Sequence, residues 1–238
     1  MDISITWWGL LWCILPVLIV AGVFITWQEP LKDLWIATVR MTIQLLAIGY
    51  VLVAIFENPS PWISFLILLV MLTAAGWIAI RPVRHHRGFF LPAAAALGFA
   101  VAVHLGISLF AVIELETWYE PRVLIPLAGM YFANGMNAVS LAAERYHAET
   151  HEGMDAQRAR NAAFSAAMIP QINSLLAVGL VALPGMMTGQ ILSGVSPLIA
   201  VRFQILIMTM TLGTSGLASA LMLWQLRNRK LVSSDAEI

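Results

Sequence analysis

Charge is scarce in this chain. Only 11% of its 238 residues are Asp, Glu, Lys or Arg, and 13 basic side chains balance 13 acidic ones. A net charge of zero gives no electrostatic footprint for binding nucleic acid. A single cysteine, Cys13, excludes an intrachain disulfide and any cysteine-ligated metal cluster. Set among Leu11, Trp12 and Ile14, it reads as a packing or lipid-facing thiol. No GxxxxGK[ST] phosphate loop occurs, so the chain does not bind ATP in that manner. No HExxH spacing or nucleophile–base pair occurs either, which disfavours a membrane enzyme. The residues before the first apolar run, beginning Met1-Asp2, lack the basic region of a cleaved signal, so that run reads as a retained span.

The longest absence is the most informative. From Asn161 to Val201 there is no Asp, Glu, Lys or Arg, a stretch longer than one bilayer crossing of roughly 20 residues. Pro170, Pro184 and Pro197 remove backbone donors within it, so one uninterrupted helix is not expected. Broken apolar backbone at membrane depth survives only where protein or a water-filled cavity covers it. The segment GLVALPGMMTGQILSGVSP (Gly179–Pro197) therefore marks a special region of a transport-type protein.

What remains is apolar. Hydrophobic residues make up 60% of the chain and the mean hydropathy is +0.84, which predicts an all-α integral membrane protein forming a single multi-pass domain. Seven spans are expected, near Ile5–Trp27, Leu34–Phe56, Pro61–Ile80, Phe89–Ile113, Val123–Ala143, Ile172–Leu192 and Ala200–Leu226; the sixth, broken around Pro184-Gly185, is either a full span with a kink or a shorter span followed by a re-entrant piece. With the N-terminus outside and the C-terminus inside, Lys32, Arg40, Arg81, Arg84, Arg87, Arg145, Arg158, Arg160, Arg227, Arg229 and Lys230 fall on the cytoplasmic side. Only Arg122 and Arg202 fall outside, the asymmetry that sets topology. Trp7, Trp8 and Trp27 bracket the first span as interfacial anchors.

The one charged stretch of any length, Glu144 to Ser165, reads as a cytoplasmic loop extending to about residue 170. Within it Met154–Met168 has helical periodicity. Ala159, Ala162, Ala163, Ala166 and Ala167 share one face, Arg158, Asn161 and Ser165 another, and Asp155 is placed to cap the start. Such a helix either rests on lipid headgroups or docks into a groove on a partner. In a permease without an ATPase motif, docking would transmit the motion of a separate ATPase subunit.

Polar residues inside the spans are few. Arg40 and Gln44 share a face near the cytoplasmic end of the second span, where snorkelling to the interface gives a structural role. Asn134 and Asn137 share a face with Met130 in the fifth span, either as interhelical hydrogen-bonding groups or as a pathway lining. Met186, Met187 and Gln190 in the broken segment offer the same thioether and amide chemistry, a mixture suited to brief contact with a transition metal, although Met is also a core filler. His85 and His86, beside Arg84 and Arg87, form a basic patch expected in solvent or on lipid phosphates. His104 is a lone histidine of the fourth span, and Glu114, Glu116 and Glu120 form an acidic external loop. No metal ligand set can be assigned from these residues.

At these positions the chain resembles a known family. RMTIQLLAIGYVLVAIF (Arg40–Phe56), IPLAGMYFANGMNAVSL (Ile125–Leu141), AAMIPQINS (Ala166–Ser174) and GLVALPGMMTGQILSGVSP, followed shortly by Gln204, are similar to the FetB/YbbM-type permeases. These are membrane subunits of a bacterial ABC transporter associated with iron export, related to a plant aluminium-tolerance permease. The similarity runs in order from about Leu34 to Trp224. It implies a multi-pass permease of the bacterial cytoplasmic membrane, assembled as two permeases with two ATPase subunits, exporting iron or a related metal cation. ATP and Mg would then be bound by the partner, with no cofactor on this chain, and Gln204 would be an intramembrane structural residue. Two features depart from the family: Ala133-Asn134-Gly135, where a Gly often precedes the Asn, and Gly153-Met154-Asp155 in place of a Leu-Gly-Ala type turn. An ion-coupled secondary transporter and a non-transporting scaffold are the alternatives. The first needs ionisable groups at mid-membrane, where only His104 is available.

Overall fold

An apolar run removed from water must satisfy its backbone polar groups internally, and a single segment does so only as a helix. The computed structural model describes residues 6–83, 89–113 and 115–227, and their regular structure is helical throughout. The basic patch at residues 84–87, Glu114, Arg229 and Lys230 lie outside the described residues. Chain contacts divide the protein into two compact units, Met1–Asn58 and Pro59–Ile238.

The first unit holds α1 (Trp7–Leu11), α2 (Ile14–Thr26) and α3 (Lys32–Glu57). Thr6 caps α1 by accepting from the Gly9 amide at 3.1 Å. Trp12 and Cys13 form a turn between α1 and α2, so the first expected span is two helical pieces. Gln28 takes a left-handed backbone, φ 59°, where the chain reverses before α3. Among the described residues of this unit, only Ala21 and Ile55 are buried.

The second unit contains α4 (Pro61–Ala79), a 3₁₀ turn at Arg81–Val83, α5 (Phe90–Gly106), α6 (Pro121–His151), α7 (Ala156–Ala177), α8 (Gly185–Leu192) and α9 (Pro197–Arg227). α5 widens at its end into a π-turn, Ile107–Val112. α6 and α9 form the centre, each packed against α5 and α7, with α4 against α6 and α8 against α9. Small residues make this possible, because backbones approach closely only where side chains are short. Ala93, Ala100, Ala138, Ala163 and Ala218 are all fully buried. A Cβ on Gly135 of α6 would sit 3.0 Å from Leu97 Cδ2 and 3.3 Å from Thr214 Cγ2, so close packing falls on the residue after Asn134.

Three expectations change. In the charged stretch from Glu144 the helix expected over Met154–Met168 forms, as the start of α7, but the residues before it are helical too: α6 continues to His151, leaving only a short turn through Gly153, φ 84°. Glu149 pairs with exposed Arg145 one turn earlier, so its carboxylate is balanced although it is buried. Second, Pro170 lies inside α7 without ending it, as proline does in membrane helices whose freed carbonyls find other donors. Third, of the two forms open to residues 172–192, the kinked full span is not the one found. Val178 leaves the helical conformation, Gly179 turns at φ 83°, and the chain reverses before Pro184, which lacks an N–H, opens α8. The helix thus breaks at Val178, ahead of the expected Pro184-Gly185, which instead starts α8; α8, eight residues long, is too short to cross a bilayer.

Five of the described helical segments are long and apolar enough to cross a membrane: Trp7–Thr26, Leu31–Glu57, Pro61–Ala79, Phe90–Val112 and Pro197–Leu226. α6 and α7 fall short of that measure because Asn134, Asn137, Gln171, Asn173 and Ser174 interrupt their apolar sequence.

Candidate functional site

Those two more polar helices meet α9 around a cavity of about 160 Å³. α6 supplies Met130 and Asn134, α7 supplies Gln171, Ser174 and Leu175, and α9 supplies Ile207, Met208, Thr211 and Leu212. The spacing explains the arrangement: 130 and 134, 171 and 175, and 208 and 212 are each one helical turn apart. Asn134 Nδ2 donates to the Met130 carbonyl at 2.9 Å, and its Oδ1 has acceptor lone pairs to offer. Thr211 Oγ1 donates to the Met208 carbonyl at 3.0 Å, so its lone pairs remain available. Gln171 is buried. The lining thus combines amide, hydroxyl and thioether groups with no ionisable side chain.

Of the residues expected to line a pathway, Met130 and Asn134 are brought together here. Asn137, one turn further along α6, is exposed and does not line the cavity. Met186 is half-buried and packs against the core, while Met187 and Gln190 are half-buried on α8; none of the three lines the cavity. Gln190 Oε1 and Gln204 Oε1 are buried without a hydrogen-bond partner among the described residues. Arg40 and Gln44 are exposed on α3, along an open groove with Trp35, Ile36, Val39 and Ile43. Gln171, Ser174, Met208 and Thr211 are cavity residues that sequence reasoning missed.

Asp155 caps α7, accepting from the amides of Gln157 at 3.1 Å and Arg158 at 3.4 Å. Ala159 and Ala163 are fully buried, with Ala162 and Ala166 half-buried beside them. The alanine face is turned into the bundle, and the exposed face carries Gln157, Arg158, Asn161, Phe164 and Ser165. Burial raises the Tyr146 phenol of α6 above its usual value, and the Arg160 guanidinium of α7 partly offsets this.

A second polar cluster joins α5 to α6 and α9. Ser108 Oγ, at the π-turn, lies 2.7 Å from the buried Tyr131 hydroxyl and 2.7 Å from the His104 carbonyl. His104 Nδ1 bonds the Ala100 carbonyl at 2.8 Å and therefore carries the proton there. A Cβ on Gly213 would fall 2.3 Å from His104 Nε2, so any side chain at this position of α9 must displace the imidazole. No group of three or more His, Cys, Asp or Glu that would hold a metal occurs among the described residues.

The fold and the cavity together define an all-helical, multi-pass membrane protein. Its sequence matches the uncharacterised protein family UPF0014 over residues 7–159 and 153–231, and the chain belongs to that family. Relatives include UPF0014 membrane protein slr1647 of Synechocystis, 38% identical over 76% of each chain. The probable iron export permease protein FetB of Escherichia coli is 32% identical over 93% of this chain and 91% of its own. Protein ALUMINUM SENSITIVE 3 of Arabidopsis thaliana is 32% identical over 76% of this chain and 70% of its own. No solved structure gives a significant match.

Proposed function

We propose that this chain is the permease subunit of an ATP-driven exporter in the bacterial cytoplasmic membrane, and that it moves iron or a related metal cation. The cavity between α6, α7 and α9 carries the reading. Its neutral oxygen and sulfur donors suit a cation held briefly and released, whereas a tight resident site would use carboxylate, imidazole or thiolate. At about 160 Å³ it is small beside the roughly 300–1,000 Å³ of organic-ligand pockets, which disfavours a lipid or a nucleotide sugar. The relative named a probable iron export permease, similar over nearly the whole chain, supports the same substrate class. The chain itself hydrolyses no ATP in this reading. A separate cytoplasmic ATPase binds ATP and Mg, two copies of each subunit assemble, and the exposed face of the α6–α7 hairpin end receives the ATPase through Arg158 and its neighbours.

The test is metal efflux from loaded cells, or uptake into inverted vesicles, with wild type, Asn134→Ala and Gln171→Leu. Transport that requires ATP and is lost in both folded variants supports the permease. Transport unchanged in both variants would remove the cavity from any role.

A further inference from the structure

The cavity touches only part of a longer polar stripe on α9. Gln204, Met208, Thr211, Ser215 and Ser219 follow one another at spacings of four, three, four and four, the repeat that keeps side chains on one helix face. Met208 and Thr211 line the cavity. Ser215 and Ser219 lie beyond it, toward the bundle end that holds the α6–α7 turn, and Ser219 is about 12 Å from Thr211 at 1.5 Å per residue. Both serines are fully buried, and neither hydroxyl has a hydrogen-bond partner among the described residues.

Among the described hydroxyls of α9, that absence is confined to these two serines: within the stripe itself, Thr211 Oγ1 donates to the Met208 carbonyl at 3.0 Å. On other faces of the same helix, Thr209 Oγ1 donates to the Ile205 carbonyl at 2.9 Å and Thr214 Oγ1 to the Met210 carbonyl at 2.8 Å. A helical serine readily makes the same bond to its own backbone. A buried hydroxyl left unpaired costs free energy, more so where no water reaches it. Two in succession, in line with a polar cavity, are accounted for if water or a polar solute meets them in another conformation. The element that closes over this part of α9 is also visible. Met168 of α7 rests on α9 at Gly216, where a Cβ would meet its Cε at 3.7 Å and its Sδ at 3.8 Å. A thioether chain against a glycine is a contact that parts and reforms without breaking a hydrogen bond.

We infer that Ser215 and Ser219 line a second half of the translocation route, shut in this structure by the packing of α7 on α9 and hydrated when that packing opens. The inference rests on the permease reading above. It adds to it a direction through the bundle, from the cavity along α9 toward the α6–α7 turn, and a gate at Met168 and Gly216.

Because Cys13 is the only cysteine, Cys13→Ser gives a clean background for single-cysteine variants. Ser215→Cys and Ser219→Cys would be treated with a charged methanethiosulfonate in open membrane fragments, with and without Mg·ATP. Thr209→Cys, exposed on another face of α9, and Asn161→Cys, exposed on α7, serve as the lipid-facing and accessible controls. Both serine positions are expected to react roughly tenfold faster than Thr209→Cys, as aqueous thiols do through their thiolate form. Reaction no faster than Thr209→Cys in either condition overturns the route. A second readout uses Ser215→Ala with Ser219→Ala, which removes unpaired hydroxyls and therefore leaves thermal stability equal or higher. Its transport rate is expected to fall roughly fivefold, an effect on turnover rather than on folding. Unchanged transport overturns the proposal. Unreactive cysteines alongside transport lost in Asn134→Ala would remove this route yet leave the permease standing, whereas intact transport in Asn134→Ala and Gln171→Leu removes the cavity reading itself.

Discussion

α3 and α6 are both long helices of the same protein, and they use sequence in opposite ways. α3 is apolar enough to cross a membrane by composition alone, and from Val39 to Val51 its side chains are all exposed. α6 falls below that measure, yet it buries Leu124, Leu127, Ala128, Tyr131, Phe132 and Gly135 in succession and lends Asn134 to the cavity. In lipid a helix gains little by hiding apolar side chains from equally apolar tails, so packing is driven by small residues and polar contacts instead. Hydropathy alone therefore does not separate lipid-facing helices from those that carry polar function: α3 and α9 both pass the measure, yet α3 is exposed while α9 lies at the centre of its unit and lends Met208 and Thr211 to the cavity.

The largest expected effect comes from placing charge where α7 turns its small residues inward. Ala163 is fully buried, and Ala163→Glu should cost about 3–5 kcal/mol as an uncompensated buried charge. Folded yield and thermal unfolding in mild detergent would show it. The same change at Ile43 on α3 should cost much less on unfolding in detergent, because the same surroundings cover that side chain before and after unfolding alike. A similar loss at both positions would break the contrast between the two kinds of helix.

Next comes Gly213→Ala, which puts a methyl group 2.3 Å from His104 Nε2. Displacing the imidazole should cost about 1–3 kcal/mol, the usual range for overpacking. Gly22→Ala on α2 meets nothing within 4 Å and should be neutral or slightly stabilising, by up to about 1 kcal/mol of helix propensity. A destabilising Gly22→Ala would show α2 to be as tightly packed as α9.

These positions also show what the sequence made legible. That the segment around Pro184-Gly185 is discontinuous and that Asp155 caps a helix depend on local chemistry, and both were readable from a few residues, although the helix breaks earlier, at Val178. Met130 and Asn134 were found because they share one face of one helix. Gln171, Ser174, Met208 and Thr211 were missed because periodicity within a helix says nothing about which face of another helix meets it. A signal existed: the alanine series 159, 163 and 167 on α7 continues to Gln171 and Ser174, so a buried face becomes polar one turn on. The extent of helix in Glu144–Ser165 is not legible from its charge, because charged residues occupy a helix as readily as a loop. The charges are accommodated on α6, through Arg145 with Glu149, and on α7, through Arg160 beside Tyr146 of α6. The alanines of Met154–Met168 suggested a docking face, yet they pack inward. Docking is therefore tested at exposed Arg158 rather than at Ala163, whose substitution would disturb the fold itself. Arg158→Glu should keep thermal stability within about 0.5 kcal/mol of wild type, as surface changes do, while co-purification of the ATPase is lost. Retained co-purification would move the docking surface off this face.

The smallest expected effect sharpens the comparison most. Leu127 on α6 is 2% exposed and Ile43 on α3 is 61% exposed. Leu127→Ala should cost about 2–5 kcal/mol through the cavity it leaves. Ile43→Ala should change stability by no more than about 0.5 kcal/mol, because lipid or detergent covers that side chain before and after unfolding alike. Thermal unfolding of both variants, first in detergent and then in bilayers, makes the measurement. If Ile43→Ala is silent in detergent and costly in bilayers, another protein surface covers α3 in the assembled membrane form. A second copy would then meet this one along the face that bears Arg40 and Gln44, and that polar pair would have a protein partner in place of a route to the interface. If Ile43→Ala is silent in both, the face is bare to lipid, and Arg40 satisfies its charge by reaching the headgroups.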